Sequence, residues 1–387
     1  MGIGMRRAFV IGAAALLTAA SATATATPGH TRACGSSWTV APQPPPPNGW
    51  GELLAVDATS PTEAWAAGDA FDHTTTHTLI ERWDGTTWTV VPSANGPNAV
   101  SSTIFGVADL GASDAWAVGT YGTRSNLIRT LAEHWDGTQW SRVPTPNAGH
   151  PAGGTLWGLA ALAPDDVWAV GAFGQGAPGR TLIEHWDGSV WSEVPRPNKG
   201  ANPNGLSAVS AVGPDDIWAV GSWFTKGFVD RTLTLHWDGS SWQRVPSPNV
   251  GPGENRLVSV EAIAADDVWA VGSRGLHTLI EHWDGSTWSV VTSPSPGGNA
   301  DLAGIAAVSA DEIWAVGGRV DRQADALHTL VERWDGGSWR VVKSANKGPS
   351  DNHLWGVTAL SGRAFAVGNL LRGGGSPAPL ILDRCGA

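Results

Sequence analysis

The sequence predicts an all-β protein: a single seven-bladed β-propeller of four-stranded antiparallel blades, its ring closed by an N-terminal strand that completes the last blade. Three features carry this expectation. A unit of about 50 residues recurs along the 387-residue chain, a period that suits a propeller blade. Each unit is written in short apolar runs divided by turn residues, and no segment sustains apolar residues at helical spacing without Gly or Pro. The last unit stops one strand short, and a matching outer strand stands near the N-terminus.

Two marks define the unit. Trp-Ala-Val-Gly or a near relative begins at Trp65, Trp116, Trp168, Trp218, Trp269 and Trp314, and with Phe at Phe365, at spacings of 51, 52, 50, 51, 45 and 51. Trp-Asp-Gly begins at Trp83, Trp135, Trp186, Trp237, Trp283 and Trp334, with another Trp five residues later each time. In the third unit, 156–161 reads as a first strand, Pro164-Asp165-Asp166 as a turn, and 167–171 as a second strand stopped by Gly171. A variable loop follows. Residues 181–186 form the third strand, Asp187-Gly188 opens a tight hairpin, and 191–194 form the fourth, which Pro195 and Pro197 end. Runs that are apolar on both faces suit sheets packed between neighbouring sheets.

The seventh unit has a third strand at 379–385 and then no outer strand. Residues 36–41 match the missing one: Gly35-Ser36-Ser37-Trp38 parallels Gly285-Ser286-Thr287-Trp288, with Cys34 in place of the turn Asp. Pairing the two ends removes an open sheet edge. The only cysteines, Cys34 and Cys385, both fall at the turn position and are expected to form a disulfide in an exported chain. The expected blades lie near 51–98, 102–148, 154–200, 204–250, 255–298, 301–347, and 353–385 plus 36–42, within a domain of 27–387.

Residues 1–26 read as a signal peptide: Arg6 and Arg7, an apolar stretch from Ala8 to Ala20, then small-residue cleavage sites. The chain is expected to be secreted and not inserted in membrane, because the apolar stretch is short and no other approaches spanning length. Without Arg6 and Arg7, 22 basic residues face 35 acidic ones. Such a surface repels phosphate backbones and excludes nucleic acid as a partner.

The order of features resembles the kelch family: an apolar strand ending in glycine, a loop, an apolar third strand, a turn, and a Trp opening the outer strand. Gly171-Ala172 stands where kelch units carry a double glycine, and Trp186 stands near their third-strand aromatic. The resemblance covers nearly the whole mature chain and implies a kelch-like propeller of galactose-oxidase type. The copper-radical chemistry of that group needs two tyrosines and a Cys-Tyr crosslink, and Tyr121 is the single tyrosine. The Asp-Gly-x-x-Trp turn also resembles the sialidase Asp box, without an identifiable tyrosine nucleophile.

Features shared by most units serve the unit. Glu81, Glu133, Glu184, Glu281 and Glu332, with a neighbouring His or Arg, occupy one column, and five copies on five blades cannot converge on one catalytic site. Nineteen of the 23 Trp belong to the repeat. Trp50, Trp157, Trp223 and Trp355 remain. The distance from the first mark to the second varies from 14 to 20, while the distance onward stays at 31 to 33, so length variation concentrates on one face. Trp50, Phe105, Trp157 and Trp355 are expected near the channel mouth on that face. With Trp223 and the loop arginines Arg180, Arg231, Arg256, Arg274 and Arg319, they form the candidate binding set. Asp72, His73 and His77 form a candidate metal cluster. No cofactor is called for. The expected function is non-catalytic binding, by a monomer, of a glycan, cell-wall polymer or extracellular protein; the alternatives are a hydrolase or lyase working at the channel mouth, and a structural or adhesion module.

Overall fold

The computed structural model describes residues 35–125, 127–146, 153–174, 179–296, 299–348, 350–371 and 375–386. The expected signal peptide and Cys34 lie outside them. The described chain is a seven-bladed propeller. Its innermost strands are Trp50–Ser60, Ala99–Gly111, Gly154–Ala163, Asn204–Gly213, Asn255–Ala264, Ala300–Ser309 and Asn352–Leu360. Blade 3 is representative: Gly154–Ala163, Asp166–Phe173, Arg180–Trp186 and Trp191–Glu193 pair antiparallel in that order. Five blades are separate four-stranded sheets, while blades 1 and 2 touch through a single parallel bridge, Thr76 to Ser101.

The ends close the ring. Thr39–Val40 pairs antiparallel with Pro377–Cys385, placing Thr39 opposite Asp383 and Val40 opposite Leu382, and the Ala41 N–H donates to the Ile381 carbonyl at 2.9 Å. Trp38, which immediately precedes this strand, is 2% exposed.

The repeated tryptophans bind each blade to the next. Trp116 of blade 2 lies 5.1 Å from Trp186 and 5.5 Å from Trp191 of blade 3, and Trp218 of blade 4 lies 4.9 Å from Trp283 and 5.4 Å from Trp288 of blade 5. The contacts to Trp186 and Trp283 are tilted and those to Trp191 and Trp288 edge-to-face, and aromatic pairs of this kind add about 0.5–1.5 kcal/mol each beyond the area they bury. At the seam between blades 6 and 7, Trp314 meets Trp38 at 5.4 Å, and the Arg384 guanidinium sits 4.5 Å over the same ring where other blades supply a second indole. Between blades 7 and 1, Phe365 takes the role against Trp83 and Trp88.

The Trp-Asp-Gly hairpins are held by their own side chains. In blade 3 the Asp187 carboxylate accepts hydrogen bonds from the Ser189 hydroxyl at 2.7 Å and from the N–H groups of Ser189 and Val190, each at 2.9 Å, which hold it at about 2, below the usual carboxylate range. The Trp186 indole N–H donates to the Pro164 carbonyl across the blade's other turn.

Gly171, expected to stop the second strand, does not end it: the strand runs on to Phe173. The glycine marks a close approach instead, because a Cβ there would stand 1.9 Å from the Thr155 carbonyl oxygen of the innermost strand. The shared glutamates are interior groups, each 0% exposed. Two of them bond the connection that leads from one blade into the next: Glu133 accepts the Ala94 N–H and Glu332 the Ser293 hydroxyl, both at 2.9 Å. Among the described residues, no helix is long and apolar enough to cross a membrane.

Candidate functional site

The channel wall is built by a defect repeated seven times. Each innermost strand slips register against the second strand at the same point, between Leu53 and Ala55, Ile104 and Gly106, Leu156 and Gly158, and so on round to Leu354 and Gly356. A bulge leaves one residue out of the ladder and re-aims its side chain. The residue before it stays in the core, with Leu53, Leu156 and Leu354 at 0% exposure. The skipped residue faces the channel.

In blade order the skipped residues are Leu54, Phe105, Trp157, Ser207, Val258, Ala303 and Trp355, and all line a central cavity of about 1350 Å³. Their distribution is lopsided. Blades 7, 1, 2 and 3 contribute Trp355, Leu54, Phe105 and Trp157, a continuous bulky arc, whereas blades 4 to 6 contribute smaller groups. Trp157 and Trp355 are each 38% exposed, unlike the repeat indoles that open the second strands, such as Trp168 at 4% and Trp218 at 1%. Trp355 is held in place: its N–H donates to the Asn369 side-chain oxygen at 2.9 Å, and its ring lies 4.1 Å from His353, which bonds Asp301 at 3.0 Å.

Carboxyl groups share the cavity. Three residues beyond the bulge, blade 1 carries Asp57 and blade 5 carries Glu261; Glu52 stands toward the loop face. Burial pushes Glu261 up to about 8, aided by the Asp57 charge. Burial also lifts Asp57 to about 6 against the Asp109 N–H that it accepts at 2.9 Å, and it lifts Glu52 to about 6 with help from Asp69. Arg256, exposed at the mouth, is the one basic residue among the described residues lining the cavity.

The structure gathers only part of the predicted set. Phe105, Trp157, Trp355 and Arg256 line the cavity; Trp50, Trp223, Arg180, Arg231, Arg274 and Arg319 do not. Trp50 packs instead on Phe71 at 5.7 Å and His73 at 5.0 Å. Trp223 lies under the Lys199 ammonium at 5.3 Å. Arg180 donates to the Gly200 carbonyl and Arg231 to the Pro252 and Gly253 carbonyls, so both pin connections between blades. Arg274 ends the strand Asp267–Arg274, and Arg319 sits within Glu312–Asp321, each half-buried away from the channel. Asp72, His73 and His77 do not assemble as ligands. Asp72 accepts the N–H groups of Thr74 and Thr75 and contacts His77 at 2.9 Å, while His73 turns onto Trp50. No group of three metal-ligating side chains occurs among the described residues.

Two features of the site region went unread in the sequence. The bulge column was visible as an apolar residue, a variable residue and a small residue at one place in each innermost strand. The second is a set of matched pairs. Asp114, Asp166, Asp216 and Asp267, at the turns between the first and second strands, bond His134, His185, His236 and His282 at 2.8–2.9 Å. Where the third strand carries Arg, the acid is Glu: Glu63 with Arg82 and Glu312 with Arg333. Blade 7 reverses the pair, Arg363 with Asp383 at 2.8 Å. The compensated exchange was the legible signal.

No family model matches the chain, and no curated protein matches it. Among solved structures, YCF48 bound to a D1 peptide aligns with 90% of this chain and 97% of its own at 14% identity, TM-score 0.57. A PL25 polysaccharide lyase, an ulvan lyase bound to -[GlcA(1-4)Rha3S]-, aligns with 90% of this chain and 94% of its own at 11% identity, TM-score 0.53. The phage phi92 endosialidase aligns with 91% of this chain and 69% of its own at 11% identity, TM-score 0.54. At such identities the likeness is one of fold, a multi-bladed β-propeller.

Proposed function

We propose that this is a secreted, kelch-like, non-catalytic propeller that recognises a glycan or an extracellular protein at the variable-loop mouth of its channel. The supporting observation is the one-sided arc of Trp355, Leu54, Phe105 and Trp157, supplied by bulges on four consecutive blades. Two indoles left more than a third exposed in a protein that buries most of its others offer flat apolar faces for a sugar ring or a side chain. The cavity has the mixed lining of ligand sites and more than enough room for a single side chain or sugar ring. Propellers of this architecture include a peptide-bound protein and a lyase bound to a sulfated glycan, so fold does not choose the ligand class.

The test is a screen of glycans, cell-wall polymers and peptides with the wild type and a Trp157→Ala, Trp355→Ala variant. Loss of binding by a folded variant supports the reading; ligands bound equally by both sink it. The channel carboxyls Asp57 and Glu261 favour one competing reading, a hydrolase or lyase, which release of cleaved product from a bound glycan would establish.

A further inference from the structure

The arc alone does not say which ligand it takes, and the rest of the channel narrows the choice. From the aromatic level at Leu54 and Val258, three residues of strand lead to Asp57 and Glu261, about 10 Å deeper at roughly 3.3 Å per residue. These carboxyls stand on blades 1 and 5, on different sides of the ring, and both line the cavity. Opposite them in charge, the described residues of the cavity wall offer only Arg256, at the mouth and 3.8 Å from Glu254. The whole chain carries a net charge of −11.

A ligand that satisfies both levels is slender, apolar along its length and positive at its tip. A lysine or arginine side chain has that form: its methylene stem can lie against Trp157, Phe105 and Trp355, and its cation can reach the carboxyls. An amino sugar carries its nitrogen directly on the ring and would hold it at the level of the indoles. The loop face adds an observation of its own. Phe228 is 70% exposed and Leu276 60% exposed, on the strand-two to strand-three loops of blades 4 and 5, the side of the ring where the channel arc is absent. Phe228 is held at a φ of 57°, a costly conformation for a bulky residue. Large apolar side chains raised to loop tips suit the side chains of a peptide better than a hydroxylated polymer.

Resting on the binding reading above, we propose that the occupant is an extended segment of a partner protein, which inserts one Lys or Arg side chain between the aromatic arc and the Asp57 and Glu261 carboxyls while its flanks lie across Phe228 and Leu276.

Random dodecapeptides displayed on phage and selected against the full chain test this. The expected result is enrichment of sequences sharing one Lys or Arg, whose replacement by Gln weakens binding at least about tenfold. Glu261→Gln and Asp57→Asn, both near-isosteric, are expected to produce a comparable loss with an unchanged circular dichroism spectrum, and Phe228→Ser a smaller one. Selected peptides that bind independently of any cationic residue, failure to enrich any peptide, or preferential binding of glucosamine oligomers would each overturn the proposal. The two readings separate cleanly. If the double Trp variant loses ligand but no cation is required, only the identity of the occupant is wrong; if that variant binds its ligands unchanged, the site is wrong.

Discussion

Gly171 lies so close to the carbonyl of Thr155 that a Cβ at this position would stand 1.9 Å from the oxygen. The same approach, at 1.9–2.1 Å, recurs at Gly68, Gly119, Gly221, Gly272, Gly317 and Gly368. The glycine of the first sequence mark is therefore the other half of the bulge that turns Trp157 into the channel. Gly171→Ala is expected to cost about 3 kcal/mol by overpacking against backbone that cannot move aside. Gly253→Ala, with nothing within 4 Å, should stay within about 0.5 kcal/mol of wild type. Urea midpoints measure both, and equal midpoints would refute this role for Gly171.

Ring closure makes a second prediction. Thr39 and Asp383, 344 residues apart, face each other across the seam, and Val40 faces Leu382. Beside them Trp38 fills the space against Trp314, whose ring also carries the Arg384 guanidinium. Trp38→Ala is expected to cost about 3–5 kcal/mol, the usual loss for a buried indole. The Cys385 N–H donates to the Gly35 carbonyl at 3.2 Å, which brings the chain ends together beside the expected Cys34–Cys385 disulfide. Such a bond would stabilise the fold by up to roughly 5 kcal/mol on the loop-entropy model. Mass analysis after alkylation without reductant should find no free thiol in the mature protein; two alkylated cysteines would rule out the pairing.

The buried glutamates predict how stability depends on pH. Burial raises Glu81, Glu133, Glu184 and Glu281 to about 8 and Glu332 to about 7, from an ordinary value of 4.5. Between pH 4.5 and 8 the folded state therefore binds more protons than the unfolded state, and stability from these groups falls as pH rises through that window. Each can contribute a slope of up to about 1.4 kcal/mol per pH unit there. The melting temperature should be higher at about pH 5 than at about pH 8, and Glu184→Gln should flatten the difference. A melting temperature that rises across this range would contradict the assignment.

The matched pairs predict a rescue. Asp166 accepts from both His185 at 2.8 Å and the Trp168 indole N–H at 2.9 Å, so Asp166→Ala should cost about 2 kcal/mol by leaving two donors unpaired. Exchange of the pair for the form found in blades 1 and 6, Asp166→Glu with His185→Arg, should retain most of the wild-type stability. Equal stability of the alanine and exchanged variants in thermal melts would dismiss the coupling.

The period, the four-strand unit and the closure were legible because seven copies repeat each mark, so Trp38 could be placed by comparison with Trp288 alone. The bulge was not. It is a property of how two strands pair, and its trace in the sequence is only a recurring Leu or Ile, a variable residue and a small residue, as in Leu156-Trp157-Gly158, which does not by itself say that the middle residue leaves the ladder. Arg180 and Arg231 misled for a related reason: an arginine on a variable loop reads the same whether it faces a ligand or a carbonyl of the next connection. Asp57 and Glu261 passed unnoticed because the other blades do not repeat a paired acid in their column, and only ring geometry brings blades 1 and 5 to one channel.

Stability separates site from scaffold before any ligand is known. Trp157 and Trp355 are each 38% exposed, whereas Trp218 is 1% exposed and packed against both Trp283 and Trp288. Truncating a side chain that already meets solvent forfeits less burial and leaves no closed cavity. Trp157→Ala and Trp355→Ala are therefore expected to cost about 1 kcal/mol or less, and Trp218→Ala about 3–5 kcal/mol. Denaturant unfolding of the three variants measures this. If the channel indoles proved as costly to remove as Trp218, they would belong to the core, and the arc would have no claim to be a binding surface.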